Sequence, residues 1–398
     1  MPRRKLALSA CCLVIGLLAA LALSACGGGG SSSSSTAGGE SAAGTEGGNA
    51  ETAAETEGGS ESSLQATATE KLQPFLKIPT KIWITEKLKK TPPSGKKVAV
   101  MDCGAPACTA WAEAVEEAAS ALGWSSKRIT QGVTPQEITK AWDQAARELP
   151  DAVFTIGIPK TLFSHQLATL EQHKIPVLNS NVNEVAGEGQ VLVNQGKEHA
   201  ETEVGAAWAY WVLSKVGEEA NVLAVTSPEF PITEAYVAGF EKTFKEECPS
   251  CSVSHTEVSA AAVGSGENAT KIVAALRSNS GVNYIVANDD IATGLPQAMI
   301  SAGLEIPIIG EVNGAAEIQQ LQEESPVYKA SVAYPPFENG WQMVDWAARY
   351  FAGESTKPSE EEEPAFIVTP ETVDPKATNF YPYIPNWDKE FEALWGVG

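Results

Sequence analysis

From Lys96 onward the chain alternates between short apolar runs and longer stretches where apolar residues return every three or four positions. The runs at 97–101, 152–157, 175–178, 221–226, 284–287, 306–310 and 330–333 read as strands. Most are continuous rather than alternating, as expected of parallel strands covered on both faces. Between them, 108–122 carries Trp111, Val115, Ala118 and Leu122 on one helical face. The stretch 201–216 does the same with Val204, Trp208, Trp211 and Val212. Gly123 is a helix stop, and Thr134-Pro135-Gln136-Glu137 is a capped helix start. Strands alternating with helices predict an α/β fold of doubly wound parallel sheets. Ligands of such sheets sit beyond the carboxyl ends of the strands. There the chain reads 102–107, 157–160, 179–183, 227–234, 288–290, 311–314 and 334–338, rich in Asn, Asp, Glu, Ser and aromatic residues and poor in His and Arg. That chemistry suits hydroxyl, amide or amine groups.

Upstream the pattern changes. Residues 1–25 open with Arg3, Arg4 and Lys5 and continue through an apolar stretch to Leu23. The basic start, short apolar segment and small residues at its end predict a secretory signal rather than a membrane span. Its close, Leu23-Ser24-Ala25-Cys26, resembles the bacterial lipobox. That resemblance implies cleavage before Cys26 and a diacylglyceryl group on its thiol. Residues 26–63 follow, with no aromatic residue, lysine or arginine. They are too polar to offset their chain entropy, so a disordered tether is expected, spanning roughly 35 Å. Residues 64–93 form an N-terminal extension ahead of the first strand.

Charge and residue usage narrow the function. Fifty acidic residues against 28 basic give a net charge of −22. A surface that negative repels phosphate backbones and anionic headgroups, which excludes nucleic-acid binding. The four histidines, His165, His173, His199 and His255, share no metal-ligand spacing with one another or with a cysteine. There is no Gly-x-Ser-x-Gly elbow and no Walker loop. No metal, cofactor or catalytic residue is expected. The acidic run at 360–363 is read as a solvated loop. Cys103 with Cys108, and Cys248 with Cys251, make two close pairs that fit either one zinc site or two local disulfides. The Cys-x-x-Cys at 248–251 lacks a thioredoxin-type context.

Several segments together resemble the type I periplasmic binding proteins, and among them the ribose-binding-like receptors of sugar ABC transporters. They are Gly95-Lys96-Lys97-Val98-Ala99-Val100, Ile175-Pro176-Val177-Leu178-Asn179-Ser180-Asn181, Ala238-Gly239-Phe240, and Ala287-Asn288-Asp289-Asp290-Ile291-Ala292-Thr293-Gly294. Ala302-Gly303, Pro307-Ile308-Ile309-Gly310, Ala330-Ser331-Val332-Ala333-Tyr334 and the closing Phe391-Glu392-Ala393-Leu394-Trp395-Gly396 follow in the family's order. The resemblance implies two lobes joined by a three-segment hinge. Lobe one would be 94–193, lobe two 194–334, with 335–365 returning to lobe one. Residues 366–398 would be a C-terminal tail with the last crossing and a terminal helix. The two cysteine pairs then fall in different lobes, which favours two disulfides over shared zinc.

Position by position, the resemblance places ligand contacts at Asn181, Glu234, Asn288, Asp289, Asn313 and Tyr334. Asp289 has a competing role inside its lobe. Where the family has an arginine that grips sugar hydroxyls, this chain has Glu234. Its aromatic pair falls on Ala107 and Cys108, so Trp111, Phe230, Tyr334 or Phe337 would have to supply stacking. A buried carboxylate demands a donor or a cation, so the ligand is expected to be a neutral polyhydroxylated molecule or an amine, not an anion. The resemblance implies a monomeric, non-enzymatic solute-binding subunit of an ABC importer. It would be lipid-anchored outside the cytoplasmic membrane and serve permease and ATPase subunits. A ligand-sensing receptor feeding a signalling partner and a secreted α/β enzyme are the alternatives.

Overall fold

A computed structural model describes residues 62–185, 191–380 and 384–398. The expected signal segment, the lipidation cysteine Cys26 and all of the expected tether before Ser62 lie outside these residues.

Two sheets carry the fold. The first has the order β2-β1-β3-β4-β5, from Ser125–Thr130, Lys97–Asp102, Ala152–Ile156, Val177–Ser180 and Val191–Asn194. All its neighbours are parallel. The second has the order β11-β10-β9-β8-β6-β7, from Ile367–Val368, Tyr328–Ala333, Ile308–Val312, Tyr284–Val286, Asn221–Thr226 and Ser252–Glu257. Only β11 runs antiparallel. The central strands are buried along almost their whole length, which is why they read as continuous apolar runs. β2 and β7 lie at sheet edges with mostly exposed or half-buried residues, and the apolar pattern misses both.

Helix boundaries follow the local chemistry. The Thr134 hydroxyl accepts from the Glu137 N–H, and the Glu137 carboxylate accepts from the Thr134 N–H, opening the helix Pro135–Glu148 with a capping box. Gly123, at φ 70°, follows the helix Pro106–Ala121 in the left-handed region that favours glycine. The π-helical turn Ala200–Val204, which leads into the helix Gly205–Val216, and the helix Ile232–Glu247 approach so closely that a Cβ on Gly239 would stand 2.2 Å from the Glu201 carbonyl oxygen.

The connections between lobes exceed the expected hinge. Chain leaves lobe one after β5, returns after β10, and crosses again to reach β11. The tail then goes back: the helix Trp387–Trp395 buries Phe391, Leu394 and Trp395 in the core of lobe one, with Trp341 stacked on Trp395 at 5.3 Å. The N-terminal extension crosses too. Its helix Ser63–Leu72 buries Ala68 and Leu72 in lobe two, while Ile82 and Ile84 enter the core of lobe one. Asp345 fastens these returning segments. Buried, it accepts from Arg349 Nε at 2.8 Å, Ser359 Oγ and Trp395 Nε1, while Arg349 also donates to the Glu86 carbonyl. Among the described residues no helix is long and apolar enough to cross a membrane.

The Gly239 crossing yields a paired test by chemical unfolding. Gly239→Ala is expected to lose about 1–3 kcal/mol through overpacking against backbone. Gly264→Ala, on an exposed helix with nothing near its Cβ position, is expected to be neutral or to gain up to about 1 kcal/mol.

Candidate functional site

The carboxyl ends of the two sheets face each other across a narrow cavity of about 40 Å³. Lobe one contributes Ala105, Ala107, Cys108, Gly157 and Asn181, and lobe two contributes Phe230, Thr233, Asn288, Asp290 and Val312. Asn181 follows β4 at φ 54°, a left-handed conformation that asparagine tolerates. Val312 stands at φ 112°, where a β-branched residue is strained by about 1–3 kcal/mol. The first loop of lobe one, from 103 to 108, forms one wall. The sulfurs of Cys103 and Cys108 lie at bonding distance, and so do those of Cys248 and Cys251, in lobe two. Among the described residues no cluster of His, Cys, Asp and Glu could hold a metal ion.

The side chains meet across the cleft. Tyr236 of lobe two donates its hydroxyl to Asn181 Oδ1 of lobe one at 2.7 Å. The same hydroxyl lies 3.5 Å from Glu311 Oε1. Asn288 Nδ2 donates to Glu311 Oε2 at 2.5 Å, and Asn288 Oδ1 accepts from the Ile291 N–H. Asp290 faces the N-terminus of the helix Pro106–Ala121, within hydrogen-bonding reach of the Ala107 N–H. One polar clasp, Asn181 to Tyr236, thus joins the lobes, with the Ala107 N–H facing Asp290 beside it.

Of the six positions expected from sequence, Asn181 and Asn288 line this cavity. Tyr334 is buried close by, among Ser180, Glu363, Glu311 and Asp290. Asp289 turns into lobe two, accepting from Tyr328 at 2.8 Å, from Ser331 and from the Asn313 N–H. Asn313 is buried beside it. Glu234 does not join the set. It is exposed on the first turn of its helix, so the buried carboxylate expected there is supplied instead by Glu311, 2% exposed on β9. Phe230 is the aromatic residue in the wall, whereas Trp111 is buried in lobe one on Asn339 and Phe337 stacks on Trp387. Sequence reasoning missed Glu311, Asp290 and Tyr236. Glu311 and Asp290 do fall in the segments that follow apolar runs. Tyr236 shares a helical face with Phe240 and Phe244 and so reads as core.

Burial raises the acids. Glu311 is pushed up to about 8, by burial first and by the nearby Asp290, against the hydrogen bond from Asn288. Asp290 is pushed up to about 7 by burial and by Glu317, against the Ala107 N–H. Glu363 and Asp289 are also held well above the carboxylate range by burial, with Glu338 and Glu317 respectively adding to the effect.

The fold has matches among known proteins. The chain matches the family described as periplasmic binding protein domain over residues 98–355, and it belongs to that family. It is a binding protein rather than an enzyme. No curated protein matches significantly. Among solved structures, an ABC transporter solute-binding protein from Agrobacterium vitis with bound allitol is 20% identical, covering 70% of this chain and 97% of its own, TM-score 0.58. A 5-methylthioribose transporter solute-binding protein from Thermotoga lettingae, in complex with 5-methylthioribose, is 17% identical over 77% and 99%, TM-score 0.62. A sugar ABC transporter protein from Yersinia enterocolitica is 19% identical over 76% and 95%, TM-score 0.63.

The acids make closure pH-dependent. In the closed form Glu311 and Asp290 hold protons up to about pH 8 and 7, whereas in an open, hydrated cleft they would release them near the ordinary 4.5 and 3.8. A raised carboxylate pKa favours the closed form at low pH, and that preference is lost as pH rises between about 4 and 8. Solution scattering on the ligand-free protein should therefore give a larger radius of gyration at pH 9 than at pH 5. Glu311→Gln should reduce the difference, and a pH-independent radius would contradict it.

Proposed function

We propose that the chain is the solute-binding subunit of an ABC importer, capturing a sugar or similar small polar solute between its lobes by hinge closure. The observation that carries this reading is the cross-lobe set of Asn181, Tyr236, Asn288, Glu311 and Asp290 at the carboxyl ends of both sheets, in a member of the periplasmic binding protein family. The Agrobacterium and Thermotoga proteins, of the same fold, hold a polyol and a modified sugar. A cavity of about 40 Å³ is far below the roughly 300 Å³ or more of ordinary ligand pockets. Ligand entry therefore requires the lobes to part, and capture shifts the population back to a closed form.

Six ligand contacts are offered on this reading: Asn181, Asn288 and Asp290 in the wall, with Glu311, Tyr236 and Tyr334 behind them. Asp289 and Asn313 support the loop that presents Asn288, and Glu234 sits at the rim. The protein works outside the cytoplasm, where Cys103–Cys108 and Cys248–Cys251 are disulfides. Cys26 carries the lipid, and permease and ATPase subunits receive the solute.

A thermal-shift panel of sugars, polyols and amino compounds tests the binding role. A cognate solute at a hundredfold its dissociation constant is expected to add about 2.7 kcal/mol of stability and to reduce the radius of gyration. A flat response across the panel would contradict the reading.

A further inference from the structure

Asp345 is a buried carboxylate that the chain supplies with a cation. The group is withdrawn from water and set 2.8 Å from the guanidinium of Arg349, itself 1% exposed. Glu311 and Asp290 are treated differently. The groups that reach them are neutral: Asn288 Nδ2 donates to Glu311, the Tyr236 hydroxyl, whose proton goes to Asn181, lies 3.5 Å from it, and the Ala107 N–H faces Asp290. The titratable groups around Glu311 are Asp290, Asp289, Tyr236, Tyr334 and Glu363, and those facing Asp290 are Glu317 and Tyr334, besides Glu311 itself. Among the described residues no lysine, arginine or histidine pairs with either acid.

A second cavity, of about 480 Å³, opens beside the first and shares Asp290 with it. Asp289, Glu317 and Glu113 are also in its walls, and no basic residue lines either cavity. Arg128 lies 3.8 Å from Glu113 and 2.6 Å from Glu116. The approach to the closed cleft and the cleft itself therefore carry one sign of charge.

Building on the solute-binding reading, we infer that the solute is a cation, a polar molecule bearing an amine whose ammonium group sits between Glu311 and Asp290 when the lobes close. An ammonium offers three donors and no acceptor. The carboxylates of Glu311 and Asp290 and the Asn181 Oδ1 present acceptors. A neutral hydroxyl supplies one donor and leaves both acids dependent on their protons for closure, and an anion adds repulsion wherever either acid is ionised. The ammonium also displaces the protons that these two acids hold in the ligand-free closed form, so binding near neutral pH releases protons to the buffer.

Isothermal titration of the full chain with matched compounds tests this. The pairs are glucosamine with glucose, galactosamine with galactose, and 1-amino-1-deoxysorbitol with sorbitol, with glucuronate as the anionic member. In at least one pair the amine should bind more than about tenfold tighter than its neutral parent. Titrations in two buffers of different ionisation enthalpy should show proton release at pH 7. Glu311→Gln and Asp290→Asn, each checked for a cooperative melt, should weaken the amine by more than about tenfold and leave the neutral parent little changed. A neutral or anionic member that binds as tightly as the amine overturns the cationic solute and leaves the solute-binding reading standing. Absence of binding by all the compounds, neutral, cationic and anionic, overturns both.

Discussion

A carboxylate taken out of water without a cation, Glu311, with the half-buried Asp290 beside it, is the constraint on which the cleft depends. Placing Glu311 and Asp290 where the lobes meet makes the closed form electrostatically incomplete, since an unpaired buried charge is strongly unfavourable and the group keeps its proton instead. Closure is then conditional on what supplies the missing charge, a proton or a ligand. The same chain completes one structural acid with a cation. Asp345 has Arg349, whereas Asp289, with three neutral donors inside lobe two, is raised by burial as well. What sets Glu311 and Asp290 apart is their place where the lobes meet.

The scaffold around that cleft is tied more heavily than a bare three-segment hinge. The tail packs its tryptophan-rich helix back on lobe one, and the N-terminal extension spans from the helix Gly205–Val216 to the Ile82 and Ile84 pocket. Both are pinned at Asp345 and Arg349. Opening the lobes must flex these straps along with the hinge.

The doubly wound architecture was legible because central parallel strands are covered on both faces and must be apolar throughout. The edge strands β2 and β7 were not, because each shows polar residues to solvent and their pairing is decided by the sheet, not by local pattern. The site was half legible for a related reason. Asn181 and Asn288 follow strands, where an α/β fold puts its ligand contacts. Glu311 lies within the final turn of apolar pattern on β9, where a run expected to end at 310 continues to Val312. Glu234 and Tyr236 sit two positions apart on one helix, so about 200° separates them; the carboxylate faces water and the phenol faces the cleft. Matching position to position found the right helix and the wrong face of it.

Native mass spectrometry of the full chain, purified without denaturation, tests the central claim most directly. The account predicts an adduct of a small amine-bearing solute on the wild-type protein that is absent from the Glu311→Gln, Asp290→Asn double variant. An adduct that survives both substitutions would place binding elsewhere and contradict it.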